Sequence, residues 1–191
     1  MVKQRFQWEV KRTIRFRQAE ANDASLISHI IATSWRKSYR SIIAQDYLDR
    51  LPDQYWAQSA RAWLESGRFY GLLIYQDDKP CGCCIYGRGR DEDHDTWGEI
   101  VSLYMLPEAA RQGLGSQLFL RALDDLREEG YTRFYLWAIR GADAADAFYR
   151  RHGFHATTDH IAYSIGGEPV TDVRYVRVED QANSSNAGHQ A

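Results

Sequence analysis

The chain reads Pro107-Glu108-Ala109-Ala110-Arg111-Gln112-Gly113-Leu114-Gly115-Ser116 between an apolar run and a long helical pattern. Two glycines one residue apart, just after a basic residue, suit a backbone bent around an anion. Glycine accepts positive φ and leaves no Cβ to obstruct the ligand. A helix starting there aims its first N–H groups and its positive dipole end at one place. The dipole contributes only about 0.3–2 kcal/mol, so the N–H hydrogen bonds must do most of the holding.

The identity of the anion can be narrowed by spacing. A nucleotide-triphosphate loop of the form G-x-x-x-x-G-K-[ST] is absent. A dinucleotide fingerprint G-x-G-x-x-G fails at its third position, which is Leu118. The acidic residue expected about 20 positions later is also missing. Other reactive side chains are less suggestive. Cys81, Cys83 and Cys84 lie together, whereas zinc usually takes four ligands in separated pairs. They read as small apolar residues on a buried strand, and no metal is expected. The run Asp91–Asp95 is acidic enough to suit a cationic amine, although such runs are commonly solvated surface.

The elements that would position this loop follow from periodicity. Ile14 and Phe16 alternate with Arg15 and Arg17, a half-buried strand. Leu26, Ile30, Ile31 and Trp35 lie at helical spacing after Asn22 or Asp23 as cap. A second helix is predicted over 53–66 with Asp53 capping, and Gly67 ends it. Strands follow at 68–76 and 81–89, joined as a hairpin through Asp77-Asp78-Lys79-Pro80. Another strand spans 98–106. Leu114, Leu118, Phe119, Ala122, Leu123 and Leu126 then mark the clearest amphipathic helix, 113–129, stopped by Gly130. A strand at 132–139 is apolar on both faces, as in a covered central strand. A short helix at 143–151 and strands near 155–165 and 170–178 complete the order β-α-α-β-β-β-α-β-α-β-β. This is an α/β fold with a mixed, mostly antiparallel sheet of about seven strands and helices on both faces. A single domain over 12–178 is expected, with an extension at 1–11 and a polar, disordered tail at 179–191.

The arrangement "GEIVSLYMLPEAARQGLGSQLFLRAL … YLWAIRGADAADAFYRRHGF" resembles the GNAT superfamily of acyl-CoA-dependent N-acyltransferases. That family's pyrophosphate loop reads [QR]-x-x-G-x-[GA], and the frame here is Ala110-Arg111-Gln112-Gly113-Leu114-Gly115. The resemblance runs from about Thr13 to Arg177. It implies acetyl-CoA as cosubstrate, lying between strands 98–106 and 132–139. Backbone groups of Leu103, Tyr104 and Met105 would pair with the pantetheine, with the Leu103 N–H polarising the thioester carbonyl. Amides of Arg111, Gln112, Gly113, Leu114, Gly115 and Ser116 would hold the pyrophosphate. Tyr149 matches the family's general acid, and Glu99 matches a position that serves as base in some members. His94 or Glu92 are alternative bases. Trp35, Tyr39, Tyr70 and Tyr163 are candidates for acceptor recognition, Trp35 also fitting a core position by its spacing.

Two positions depart from the family pattern. Ala110 replaces the usual Gln or Arg, and Ala142 stands where an Asn commonly contacts the pantetheine arm. Both put cofactor affinity in doubt more than catalysis. They leave an alternative open, an acyl-CoA-binding sensor or interaction module with weak or no turnover.

Composition bounds the remaining classes. The 191 residues carry a net charge of −2, with 44% hydrophobic and 26% charged residues. Such a balance gives no electrostatic case for nucleic acid or a membrane surface, and no apolar run approaches a membrane span. The basic N-terminus lacks a signal peptide's apolar segment, so a cytoplasmic protein is expected. Its partner would be a small-molecule or peptide amine, and family habit makes a homodimer a candidate assembly.

Overall fold

Alternation and helical spacing both resolve into a single seven-stranded sheet in the computed structural model, which describes residues 12–179. Strand β1 (Ile14–Gln18) leads into helix α1 (Ala24–Ser38), then α2 (Gln45–Arg50) and α3 (Ala57–Glu65). Strands β2 (Phe69–Gln76), β3 (Lys79–Arg88) and β4 (Gly98–Met105) form an antiparallel meander. Helix α4 (Leu114–Glu128), β5 (Arg133–Ile139), α5 (Asp143–Arg151), β6 (His155–Ile165) and β7 (Glu168–Val178) follow. The sheet order is β1-β2-β3-β4-β5-β7-β6, and β4–β5 is the parallel pair in it.

Helix α4 shows why the sequence gives this arrangement. Leu118, Phe119, Ala122, Leu123 and Leu126 are fully buried on one face, against Leu72, Tyr86, Phe134 and Leu136 of the sheet. Truncating one of these leucines to alanine removes about 2–5 kcal/mol, so the helix is fixed firmly and its N-terminus with it. The opposite face of the sheet is covered by α1 and α3 through Ile27, Ile30, Ile31 and Ala60. Cys81, Cys83 and Cys84 are buried free thiols in β3. Burial pushes the Cys83 and Cys84 thiols above their ordinary range.

Three sequence expectations change. Helix α2 was not anticipated, having six residues and Leu48 as its one buried side chain. The helix expected over 53–66 starts at Ala57, and Asp53 pairs with Arg36 and His29 instead of capping it. Glu179, expected in the tail, is ordered: its N–H donates to Thr132 O at 2.8 Å and its carboxylate pairs with Arg127 and Arg177. The 1–11 extension and the rest of the tail lie outside the described residues. No helix among the described residues is long and apolar enough to cross a membrane.

Candidate active site

Strand β4 stays paired with β3 along its length but meets β5 only at Gly98↔Phe134, Glu99↔Tyr135 and Ile100↔Leu136. Opposite β3 the register steps from Tyr86↔Ile100 to Ile85↔Ser102, which leaves Val101 as an extra residue. Such a bulge bends its strand and increases the local twist. Beyond it β4 and β5 diverge around a cavity of about 500 Å³, walled by Leu103, Tyr104, Ala138, Ile139 and Tyr149. A groove of about 360 Å³ continues from Leu103 and Tyr149 past Met105 to Arg111, Gly113 and Ser116. Leu103 and Tyr149 belong to both walls. Ser102 Oγ, buried on the cavity side, has no hydrogen-bond partner among the described residues.

The loop at the far end of the groove has the backbone its sequence suggests. Arg111 (φ +60°) and Gly113 (φ +77°) are left-handed. A Cβ at Gly113 would meet nothing within 4 Å, so the glycine answers to its φ and leaves the approach open. A Cβ at Gly115 would come within 3.4 Å of Met105 Cγ, which fixes how closely α4 sits on β4. No side chain caps α4. Gln117 N is the first to bond back, to Gly113 O at 3.2 Å. The N–H groups of Leu114, Gly115 and Ser116 therefore lack intrahelical acceptors, the situation that attracts an anion.

Side chains of the loop contribute less than its backbone. Gln112 Oε1 accepts from Arg12 Nη1 (2.5 Å) and Gln76 Nε2 (3.0 Å), and its amide donates to Glu108 O. Leu114 is buried in the core. Arg111 lines the groove, as does Arg151 from α5, a cation that sequence reading missed. Only its place one turn beyond Phe148 on the same helix could have pointed to it.

Tyr149 is held by aromatic packing, its ring 5.8 Å from Phe119 and 5.7 Å from Tyr175. Burial raises the phenol further above its ordinary value, so it carries its proton at neutral pH. Tyr175 is committed elsewhere, donating to Asp146 Oδ1 at 2.6 Å. Helix α5 begins after Ala142 without any side-chain cap, and Ala142 lies on the cavity wall.

Trp35 and Tyr39 stack edge-on at 4.9 Å, and both line the cavity, as does Tyr163. Trp35 serves core and cavity together, since it also packs on Trp56. Tyr70 is a correction. It stands on β2 with its ring 5.8 Å from Tyr86 and its hydroxyl beside Glu129. Glu129 caps the C-terminal end of α4, and Tyr70 is not among the residues that line the cavity with Trp35, Tyr39 and Tyr163.

The carboxylates expected as bases are also engaged elsewhere. Glu99 is 0% exposed. Its oxygens accept from Arg90 N, Nε and Nη2 and from Tyr135 Oη, at 2.6–3.0 Å. Those contacts occupy the lone pairs a base would use; Arg90, not Glu99, lines the cavity. The acidic loop is similarly absorbed. Asp91 and Asp93 pair with Arg174, and Asp95 with Arg88. His94 packs on Trp97 and Tyr135, and Glu92 lines a separate hollow beside Arg68 and Arg88. A residue that sequence reading passed over, Asp172 on β7, lines the cavity and accepts from Tyr163 Oη at 2.9 Å.

Comparison with known proteins agrees with this architecture. Residues 30–154 match the model of the Acetyltransferase (GNAT) family. The uncharacterized N-acetyltransferase YuaI of Bacillus subtilis is 30% identical over 128 residues, covering 66% of this chain and 72% of that one. Among solved structures, the PaiA N-acetyltransferase of Thermoplasma acidophilum in complex with coenzyme A superposes with a TM-score of 0.67. It is 17% identical, with 87% of this chain and 99% of that chain covered. The structure of yncA from Salmonella typhimurium with its cofactor acetyl-CoA gives 0.66 at 20% identity, covering 91% and 98%.

Proposed function

The chain belongs to the GNAT acetyltransferase family, and from that premise we propose that it transfers an acetyl group from acetyl-CoA to a primary amine by direct attack in a ternary complex. The observation that carries the reading is the continuity of the cleft. One groove joins the uncapped N-terminus of α4 to an aromatic cavity, and Leu103 and Tyr149 stand at the junction.

The residues fit coenzyme A. Unbonded N–H groups at 114–116, the open approach at Gly113 and the cations Arg111 and Arg151 suit a pyrophosphate. Beyond Ile100, β4 has no β5 partner, so the backbone groups of Leu103 and Met105, on either side of Tyr104, which pairs with Cys83 of β3, can pair with an extended pantetheine arm. Ser102 Oγ is an orphaned polar atom on the same stretch. With no side chain to offer at Ala110 or Ala142, holding falls to the backbone of Arg111, Gln112, Gly113, Leu114, Gly115 and Ser116.

Acetyl-CoA supplies an activated carbonyl with a thiolate as leaving group. The Leu103 N–H donates to the carbonyl oxygen, where negative charge develops during attack. Tyr149, held protonated by burial, delivers its Oη proton to the departing sulfur, and the proton that the attacking free amine sheds as the amide forms restores the phenol. Trp35, Tyr39 and Tyr163 shape the acceptor end. Glu99 acts through Arg90, fixing that guanidinium on the cavity wall, and takes no proton from the amine itself.

The test is release of free thiol from acetyl-CoA across an amine panel, with Tyr149→Phe beside the native chain. Loss of a general acid lowers kcat by about 10²–10⁴-fold, and calorimetry should find acetyl-CoA affinity retained. An unchanged kcat would remove Tyr149 from the role. Acetyl-CoA binding without turnover on any amine would favour the sensor alternative instead.

A further inference from the structure

On β7, Val170, Asp172 and Arg174 share one face of the strand while Val173 and Tyr175 share the other. Val173 and Tyr175 join the core beneath α4, and Val170 packs with Ile139 and Leu48 on the α2 side. Asp172 is therefore carried by the strand's own alternation into the cavity. It pairs in register with Ile139 of β5 and Ile161 of β6. Tyr163 Oη donates to its Oδ1 at 2.9 Å.

No cation among the described residues answers this carboxylate. Arg174, two residues along, is bonded to Asp91, Asp93 and Asp159 and stacked 4.8 Å from the Trp137 ring. Arg90, on the cavity wall, is held by buried Glu99. The remaining charged group of the wall, Asp143, is acidic too. A carboxylate withdrawn from water without a counter-charge is unfavourable, and burial duly raises its pKa. A ligand cation would complete the site, and Tyr39, Trp137 and Tyr163 line the same cavity as aromatic neighbours able to attract it.

The sheet sets the distance between this carboxylate and the transfer point. Counting on from Ile100↔Leu136 places Leu103 about level with Ile139, and Ile139 is paired with Asp172. Strand order β4-β5-β7 then puts two strand spacings between them, roughly 9–10 Å even before β4 splays away. That separation leaves room for a short aliphatic spacer between a nitrogen attacking beside Leu103 and a second nitrogen at Asp172.

We propose that Asp172, oriented by Tyr163, holds a second, distal cationic nitrogen of the acceptor, so that the preferred substrates are diamine-type amines with no carboxylate near that nitrogen. The inference rests on the acetyltransferase reading. It excludes zwitterionic α-amino ends, because the wall has no spare cation among the described residues to receive their carboxylate.

Matched probes separate the terms. 1,5-Diaminopentane, 1-aminopentane and lysine differ only in the distal ammonium or an added carboxylate. The native chain should turn over the diamine with kcat/KM at least tenfold above either analogue, since a hydrogen bond to a charged group is worth about a factor of ten or more. In Asp172→Asn the diamine-to-monoamine ratio should fall close to one, and Tyr163→Phe should reduce it partway. Calorimetry without any acetyl-CoA should show the diamine binding the native chain and losing affinity in Asp172→Asn, with circular dichroism confirming that the variant folds. A native chain that does not discriminate, a ratio that survives in D172N, or no diamine binding would overturn the proposal. Failure of the acetyltransferase reading looks different: no thiol release with any amine, charged or not.

Discussion

Replacing Glu99 by glutamine tests whether this carboxylate is a structural partner or a base. The substitution keeps the volume and leaves Arg90 facing a neutral amide whose NH₂ opposes its own donors. Removing one member of a buried ion pair costs about 3–5 kcal/mol. Arg90 retains 40% side-chain exposure against 0% for Glu99, so water recovers part of that loss and about 2–3 kcal/mol is a better figure. For a chain of this size each kcal/mol moves Tm by about 2–4 °C, giving a fall of roughly 4–12 °C. The assay is paired: Tm by calorimetry, and kcat by thiol release well below the variant's melting range. A lower Tm with kcat changed by no more than a few-fold is expected. A kcat lower by about 10²-fold or more with Tm unmoved would refute the structural assignment and restore Glu99 as the base.

Two further outcomes follow from backbone and charge. Gly113→Ala and Gly130→Ala both force alanine into a left-handed φ, and neither Cβ meets an atom within 4 Å. Each should cost about 1–2 kcal/mol of stability, but calorimetry should show weakened coenzyme A binding for Gly113→Ala alone, since Gly130 follows the other end of α4. Asp172, whose pKa is raised by burial, costs the fold stability when ionised and nothing once protonated in both folded and unfolded chains. Asp172→Asn should therefore raise Tm near pH 7.5, with the gain shrinking as pH falls through the raised folded pKa and gone below the ordinary carboxylate value of about 3.9. A variant less stable than the native chain near pH 7.5 would contradict this.

What the sequence reveals about this fold depends on how local the determining contacts are. The face of α4 is written in its own spacing, and strands β3, β4 and β5 in their apolar runs, so the order and the loop before α4 are legible. Helix α2 is invisible because one buried leucine makes no period. Glu99 stands in the sequence as a candidate base, and only the fold, by turning the chain back, sets Arg90 and Tyr135 against it. Asp172 sits in an unremarkable alternation, and its meaning depends on Tyr163, Ile139 and the bulge at Val101, all remote in sequence or set by register. Tyr70 shows the converse failure: an aromatic residue in the right stretch, carried by β2 toward the wrong end of α4.

The central claim is that the backbone of 111–116, at the start of α4, holds coenzyme A while β4 pairs with its pantetheine arm. Amide hydrogen exchange with and without acetyl-CoA reads that backbone directly. Protection is expected in peptides spanning 111–116 and 103–105, and ATP in place of acetyl-CoA should not reproduce it along 103–105. Binding of acetyl-CoA with no added protection in either segment would contradict the account.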